Sequence, residues 1–73
     1  MKDSRYVICI KNSEYPASLE RRKIYEVIPD PEAQETQHIR VIDESGDDYL
    51  YPASYFVFVN LSKETREAIA RAA

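Results

Sequence analysis

Few side chains in this sequence could do chemistry: the lone Cys9, the lone His38 and a run of carboxylates that surrounds Gly46. Clustered carboxylates are the ligands that hard cations prefer. The run nevertheless lacks the spacing of a twelve-residue calcium loop with its distal glutamate. We therefore predict a solvated hairpin tip without a metal, which could serve as an acidic rim for a basic partner. The rim consists of Asp43, Glu44, Asp47 and Asp48.

Cys9 lies in the apolar run Tyr6–Ile10, where a thiol is expected to behave as a small buried hydrophobic group. A reactive thiolate would need a base, and His38 is the one histidine that could pair with it. One histidine and one glycine are too few to assemble a triad, a metal site or a phosphate-binding loop. We expect neither an enzyme nor a cofactor.

The charge balance argues against nucleic acid as the main partner. Ten Lys and Arg stand against thirteen Asp and Glu, which gives a net charge of -3. Basic residues are nevertheless concentrated in the first third of the chain, so an alternative function remains open: a nucleic-acid-associated accessory protein with a basic face and stacking tyrosines. That face would comprise Lys11, Arg21, Arg22, Lys23 and Arg40.

Seventy-three residues allow one domain with one small core. The apolar run near the N-terminus is too short for a signal-peptide hydrophobic region and no stretch is long enough to cross a membrane, so we expect a cytoplasmic protein. A core this small also leaves open a monomer or a weak homodimer in which an edge strand or a helix supplies further burial.

Short runs rich in β-branched and aromatic residues alternate with turn formers, a pattern typical of a small all-β domain. Asp30 followed by Pro31 predicts one helical turn over 31–35, and Gly46 predicts a tight hairpin. The five expected strands are 5–10, 23–28, 38–43, 48–51 and 56–60.

The last segment changes to a helical period. Ser62 is a suitable N-cap, and Glu67 and Arg71 are spaced for an i,i+4 pair. We predict a helix over 62–72 with a stripe of small side chains. A helix this short is marginal alone, so it should pack on the sheet or on a partner.

The layout resembles a Src-homology-3-like barrel. Tyr49-Leu50-Tyr51-Pro52-Ala53-Ser54-Tyr55-Phe56 is similar to the segment of that fold in which strand four ends at a proline, passes through a helical turn carrying a tyrosine, and enters strand five. The segments 19–30 and 39–52 resemble a group of small uncharacterised bacterial proteins with this barrel. The resemblance implies a single domain over 1–73, with a five-stranded barrel at about 5–60, a short C-terminal α-helix and a bacterial origin.

In eukaryotic members of that fold the strand-four proline and the following tyrosine line a groove for proline-rich peptides. Pro52 and Tyr55 match those positions, whereas the chain has no tryptophan and no Ala-Leu-Tyr-Asp-Tyr type of motif in its first strand. We therefore expect a non-catalytic protein-interaction or regulatory module with a protein partner. Its candidate face comprises Tyr15, Tyr49, Pro52 and Tyr55.

Overall fold

A computed structural model describes residues 5–72 of the chain. Most of its regular elements are strands, and they follow one another in the order expected from the sequence. The elements are β1 (Arg5–Cys9), β2 (Ile24–Ile28), α1 (Pro31–Glu35), β3 (His38–Ile42), β4 (Asp48–Pro52), a 3-10 turn (Ala53–Tyr55), β5 (Phe56–Val59) and α2 (Lys63–Arg71).

The five strands form one antiparallel sheet in the order β4-β3-β2-β1-β5. The domain is thus mainly β with a C-terminal helix, as predicted. The sheet is not closed, because β4 and β5 each pair with one neighbour only among the described strands, so the predicted five-stranded barrel is not confirmed. The order brings the last strand back beside the first, with Cys9 opposite Phe56 and Val7 opposite Phe58.

One face of the sheet carries the core. Because side chains alternate along a strand, the paired residues Val7 and Tyr25 point to the same face, as do Val27 and Val41. The buried cluster also contains Leu19 from the connection between β1 and β2. The core residues are Val7, Cys9, Leu19, Tyr25, Val27, Ile39, Val41, Tyr51, Tyr55 and Phe56.

The two outer strands leave part of this face uncovered. Tyr49 on β4 lies opposite Val41, and Phe58 on β5 lies opposite Val7, so both rings belong to the core side. Their exposed fractions are nevertheless 53% and 52%. The open edges of the sheet therefore display two half-exposed aromatic rings.

The connection between β1 and β2 is tied down at several points. Leu19 is buried, and the Asn12 side-chain amide donates to its carbonyl oxygen at 2.8 Å. The backbone N–H of Glu44 donates to the Ser18 carbonyl at 3.0 Å. These contacts hold the loop 10–23 against the β3-β4 hairpin.

Both helices begin at the predicted caps. The Asp30 carboxylate accepts from the Ala33 amide, and the Ser62 hydroxyl accepts from the Thr65 amide. No described residue of α2 is buried, so the helix covers little of the sheet. Of the two positions predicted for this helix, on the sheet or on a partner, the described residues show little packing on the sheet, and packing on a partner stays a prediction.

Three of the described residues adopt a positive φ. Gly46, at +87°, takes the hairpin conformation expected of the lone glycine. Arg22, at +72°, and Gln37, at +60°, do the same without being glycine. Nothing in their residue types predicts this conformation.

Candidate functional site

A groove of about 320 Å³ lies between the loop that precedes β2 and the β3-β4 hairpin. Two of the predicted interaction residues, Tyr15 and Tyr49, line it. Tyr15 comes from the loop and Tyr49 from an outer strand, so the fold brings together two tyrosines far apart in sequence. The other lining residues are Ser18, Asp43, Ser45, Leu50 and Tyr51.

The floor of this groove is aromatic. The ring of Tyr15 meets Tyr51 edge-on, with centroids 4.9 Å apart and planes at 84°, and Tyr51 in turn meets Phe56 at 6.2 Å. Tyr51 belongs to the core and lies on the same face of the sheet as Tyr49. These edge-to-face rings form the base of the groove.

Tyr55 is a core residue and not a surface one. Its exposed fraction is 6%, and its ring lies 6.0 Å from that of Tyr15. Its hydroxyl points to Oε1 of Glu14 at 3.4 Å, and burial followed by the Glu14 charge raises its pKa. The ring that was predicted to face a partner therefore lies in the core of this chain, where the 3-10 turn places it.

Pro52 ends β4 opposite His38 and is partly buried. It does not line the groove, although it starts the 3-10 turn that carries Tyr55. Of the four predicted residues, Tyr15 and Tyr49 line the groove, Tyr55 is buried in the core, and Pro52 does not line the groove.

Asp43 also differs from the prediction of a solvated rim, since only 6% of it is exposed. Its carboxylate accepts from the backbone and side chain of Ser45, at 2.9 and 2.6 Å, and from the Tyr51 hydroxyl. Burial alone would raise the pKa of Asp43, but these hydrogen bonds outweigh it and lower the pKa below its ordinary value. Asp43 is a structural carboxylate at the base of the turn.

The remaining three acidic residues have different partners. Glu44 accepts from Lys23 Nζ and from the Tyr25 hydroxyl, both at 2.6 Å, and these contacts lower its pKa. Asp48 lies 3.0 Å from Arg40 Nη1. Asp47 is exposed, and no ion pair of it occurs among the described residues. Among the described residues, Asp47 is therefore the one member of the predicted acidic rim that is both exposed and outside an ion pair.

The basic residues of the alternative function are partly neutralised. Arg40 contacts both Asp30 and Asp48, and Lys23 contacts Glu44. Arg21 and Arg22 are exposed, and the Arg22 amide donates to the Cys9 carbonyl at 2.7 Å, which places this cluster beside the end of β1.

The structure does not unite Cys9 and His38. Cys9 is buried, its thiol donates to the Lys11 carbonyl at 3.3 Å, and desolvation raises its pKa. His38 Nδ1 lies 2.7 Å from the Thr36 carbonyl. Within residues 5–72, no group of three His, Cys, Asp or Glu side chains is placed to hold a metal ion.

Four groove residues belong to neither the predicted face nor the predicted rim: Ser18, Ser45, Leu50 and Tyr51. Leu50 carried a usable signal, since it is a large apolar residue between two tyrosines in a strand beside a turn. The two serines carried none, because their role depends on the contact between the loop 10–23 and the hairpin.

Comparison of the chain with protein-family models, with curated proteins and with solved structures finds no match. In the part of the chain that the structure describes, no helix has the length and apolar character needed to span a membrane.

Proposed function

We propose that this chain is a non-catalytic protein-interaction or regulatory module that binds an extended peptide segment in the groove between Tyr15 and Tyr49. The observation that carries the proposal is the convergence of these two rings, one from the loop before β2 and one from β4, on one concave surface. Large exposed rings with a polar tip are common at the centres of protein interfaces because they offer apolar area at a low entropy cost.

The architecture supports a Src-homology-3-like barrel as the finer description of the fold. β4 ends at Pro52, a 3-10 turn follows, and β5 begins at Phe56 beside β1. This is the arrangement on which the resemblance of residues 49–56 rests. A proline-rich ligand bound as in the eukaryotic proteins is less well supported, since Tyr55 is buried and Pro52 does not line the groove.

Charge favours a basic peptide. The exposed Asp47 lies in the turn whose Asp43 and Ser45 line the groove. Glu14 is exposed beside Tyr15. A Lys or Arg side chain that flanks an apolar or proline anchor would therefore find a carboxylate near Tyr15 and another in the hairpin turn.

A peptide titration tests this proposal. Two peptides of twelve residues share prolines and apolar anchors but carry either Arg or Glu at the flanking positions, and amide chemical shifts of the labelled protein are followed. We expect saturable shifts at Tyr15, Ser45 and Leu50 with the Arg peptide only. Tyr49→Ala should weaken binding about tenfold or more, as expected for an aromatic anchor, whereas Val57→Ala, on the outer face of the sheet, is the matched control. Shifts confined to residues outside the groove would contradict the proposal.

A homodimer is a second candidate, favoured by a row of aliphatic side chains on the outer face of the sheet. Ile8 lies opposite both Ile24 and Val57, and the latter two are 38% and 49% exposed. Neighbouring exposed aliphatic residues form the kind of patch that a second copy could cover. Light scattering across a concentration series tests the homodimer. A molecular mass that stays equal to that of one chain up to millimolar protein concentration would exclude it.

A further inference from the structure

A second groove, of about 490 Å³, lies where β1, the end of β5 and the start of α2 meet. Its lining includes two arginines, Arg5 and Arg66, together with Tyr6, Phe58 and Asn60. None of the lining residues within 5–72 is acidic. The groove shares no residue with the one lined by Tyr15 and Tyr49.

The guanidinium of Arg66 is only partly satisfied. Its Nε atom is buried and has no hydrogen-bond partner among the described residues. The ion pairs within residues 5–72 involve Lys23 and Arg40, and none includes Arg5 or Arg66. A buried N–H group without a hydrogen-bond partner costs free energy, and an acceptor bound at Arg66 would remove that cost.

The chemistry of the groove specifies its ligand. A guanidinium presents several N–H donors in a plane and accepts nothing, so its best partner is a planar or tetrahedral oxyanion. Phe58 offers a half-exposed ring beside these donors. An oxyanion attached to an apolar or aromatic body would satisfy both features at once.

We propose that the groove lined by Arg5, Arg66 and Phe58 binds a small organic anion, a phosphate monoester or a carboxylate, with its charged group on the two arginines and its apolar body on the phenyl ring. A polyanion is a poorer fit, because the chain carries a net charge of -3.

Titration with phenyl phosphate, benzoate and inorganic phosphate tests the proposal, with amide chemical shifts and thermal unfolding as readouts. We expect saturable shifts at Tyr6, Asn60 and Arg66. At least one of the two aromatic anions should bind more tightly than inorganic phosphate. The one that binds more tightly shows whether the site prefers a phosphate monoester or a carboxylate. Arg66→Gln and Arg5→Gln should each weaken binding about tenfold or more, since a hydrogen bond to a charged group is lost. Arg71→Gln, in the last turn of the same helix, is the matched control.

Three results would overturn the proposal. The first is the absence of saturable shifts at about 10 mM anion, at which sites with a Kd of about 1 mM are mostly filled. The second is binding that survives in both Arg66→Gln and Arg5→Gln. The third concerns Asp3, which lies outside the described residues: if anions bind only after Asp3→Asn, a carboxylate of the chain itself is the partner of the arginines. The two glutamine variants must give dispersed amide spectra, which shows that they fold.

Discussion

The Tyr51 hydroxyl donates a hydrogen bond to Oδ2 of Asp43, and this bond joins β4 to the turn that precedes it. The other carboxylate oxygen accepts two bonds from Ser45. One side chain thereby fixes both the hairpin turn and the ring that forms the floor of the groove. The shape of the proposed peptide site thus depends on a residue that no ligand needs to touch.

Replacing Asp43 should reduce the stability of the fold. Asp43→Asn removes one acceptor oxygen from a buried site with three donors, so we expect the free energy of unfolding to fall by about 1–3 kcal/mol. Asp47→Asn changes an exposed carboxylate in the same turn and should alter it by less than about 0.5 kcal/mol. Urea denaturation measures both, and equal effects would show that burial of Asp43 is not important.

The same carboxylate should contribute to the acid sensitivity of the protein. Because its pKa is lowered in the folded state, its contribution is present above the unfolded value of about 4 and is lost as the pH falls through the folded value. The stability difference between the wild type and Asp43→Asn should therefore shrink below about pH 4. Urea denaturation at several pH values from 6 to 2 checks this; a difference that stays constant over that range would contradict it.

Tyr51 should act at the opposite end of the pH scale. Burial, followed by the hydrogen bond to Asp43, raises its pKa to about 12. The stabilisation is complete below the unfolded value of about 10 and is lost as the pH rises from there toward the folded value. Tyr51→Phe has no ionisable hydroxyl and does not show this loss, so the stability of the wild type should approach that of the variant between about pH 10 and about pH 12. Parallel pH profiles from urea denaturation would show that the hydroxyl is not coupled to folding.

Two tyrosines of the predicted interaction face should respond differently to truncation. Tyr55→Ala removes a ring that is almost fully buried and should lower the free energy of unfolding by about 3 kcal/mol or more. Tyr49→Ala removes a half-exposed ring and should cost less than about 1 kcal/mol. Thermal unfolding followed by circular dichroism distinguishes them. Equal losses would mean that Tyr49 contributes to the core as strongly as Tyr55 does.

The turn at Gly46 offers a test of backbone strain without steric conflict. A Cβ atom built there meets nothing within 4 Å, so the cost of Gly46→Ala comes from the positive φ alone. We expect a loss of about 1–2 kcal/mol, and a smaller loss for Gly46→Asn, because asparagine tolerates this conformation. Denaturant unfolding measures both; an asparagine variant as unstable as the alanine variant would point to another cause.

Much of the fold could be predicted from local patterns. The prolines, the single glycine and the β-branched runs place the five strands correctly to within one or two residues, and Ser62 and Asp30 mark the helix starts. Beyond the hairpin at Gly46, the lateral order of the strands was not predicted, because pairing depends on contacts distant in sequence.

The candidate site could be predicted only in part. The alternation of Ile39 and Val41 puts position 43 on the core side of β3, so the sequence pattern itself indicates that Asp43 is buried. The prediction of a solvated position rested on the charge of Asp43 instead. The inward turn of Tyr55 could not be predicted, since it depends on the 3-10 turn and on the ring of Tyr15.

The anchored loop before β2 has a consequence for any partner. Leu19 and the hydrogen bonds at Asn12 and Ser18 already order this segment in the free chain. A ligand that docks beside Tyr15 therefore finds a preorganised surface, and little of its affinity is lost to immobilising backbone. Association should then resemble rigid docking, with nearly the same backbone before and after the encounter.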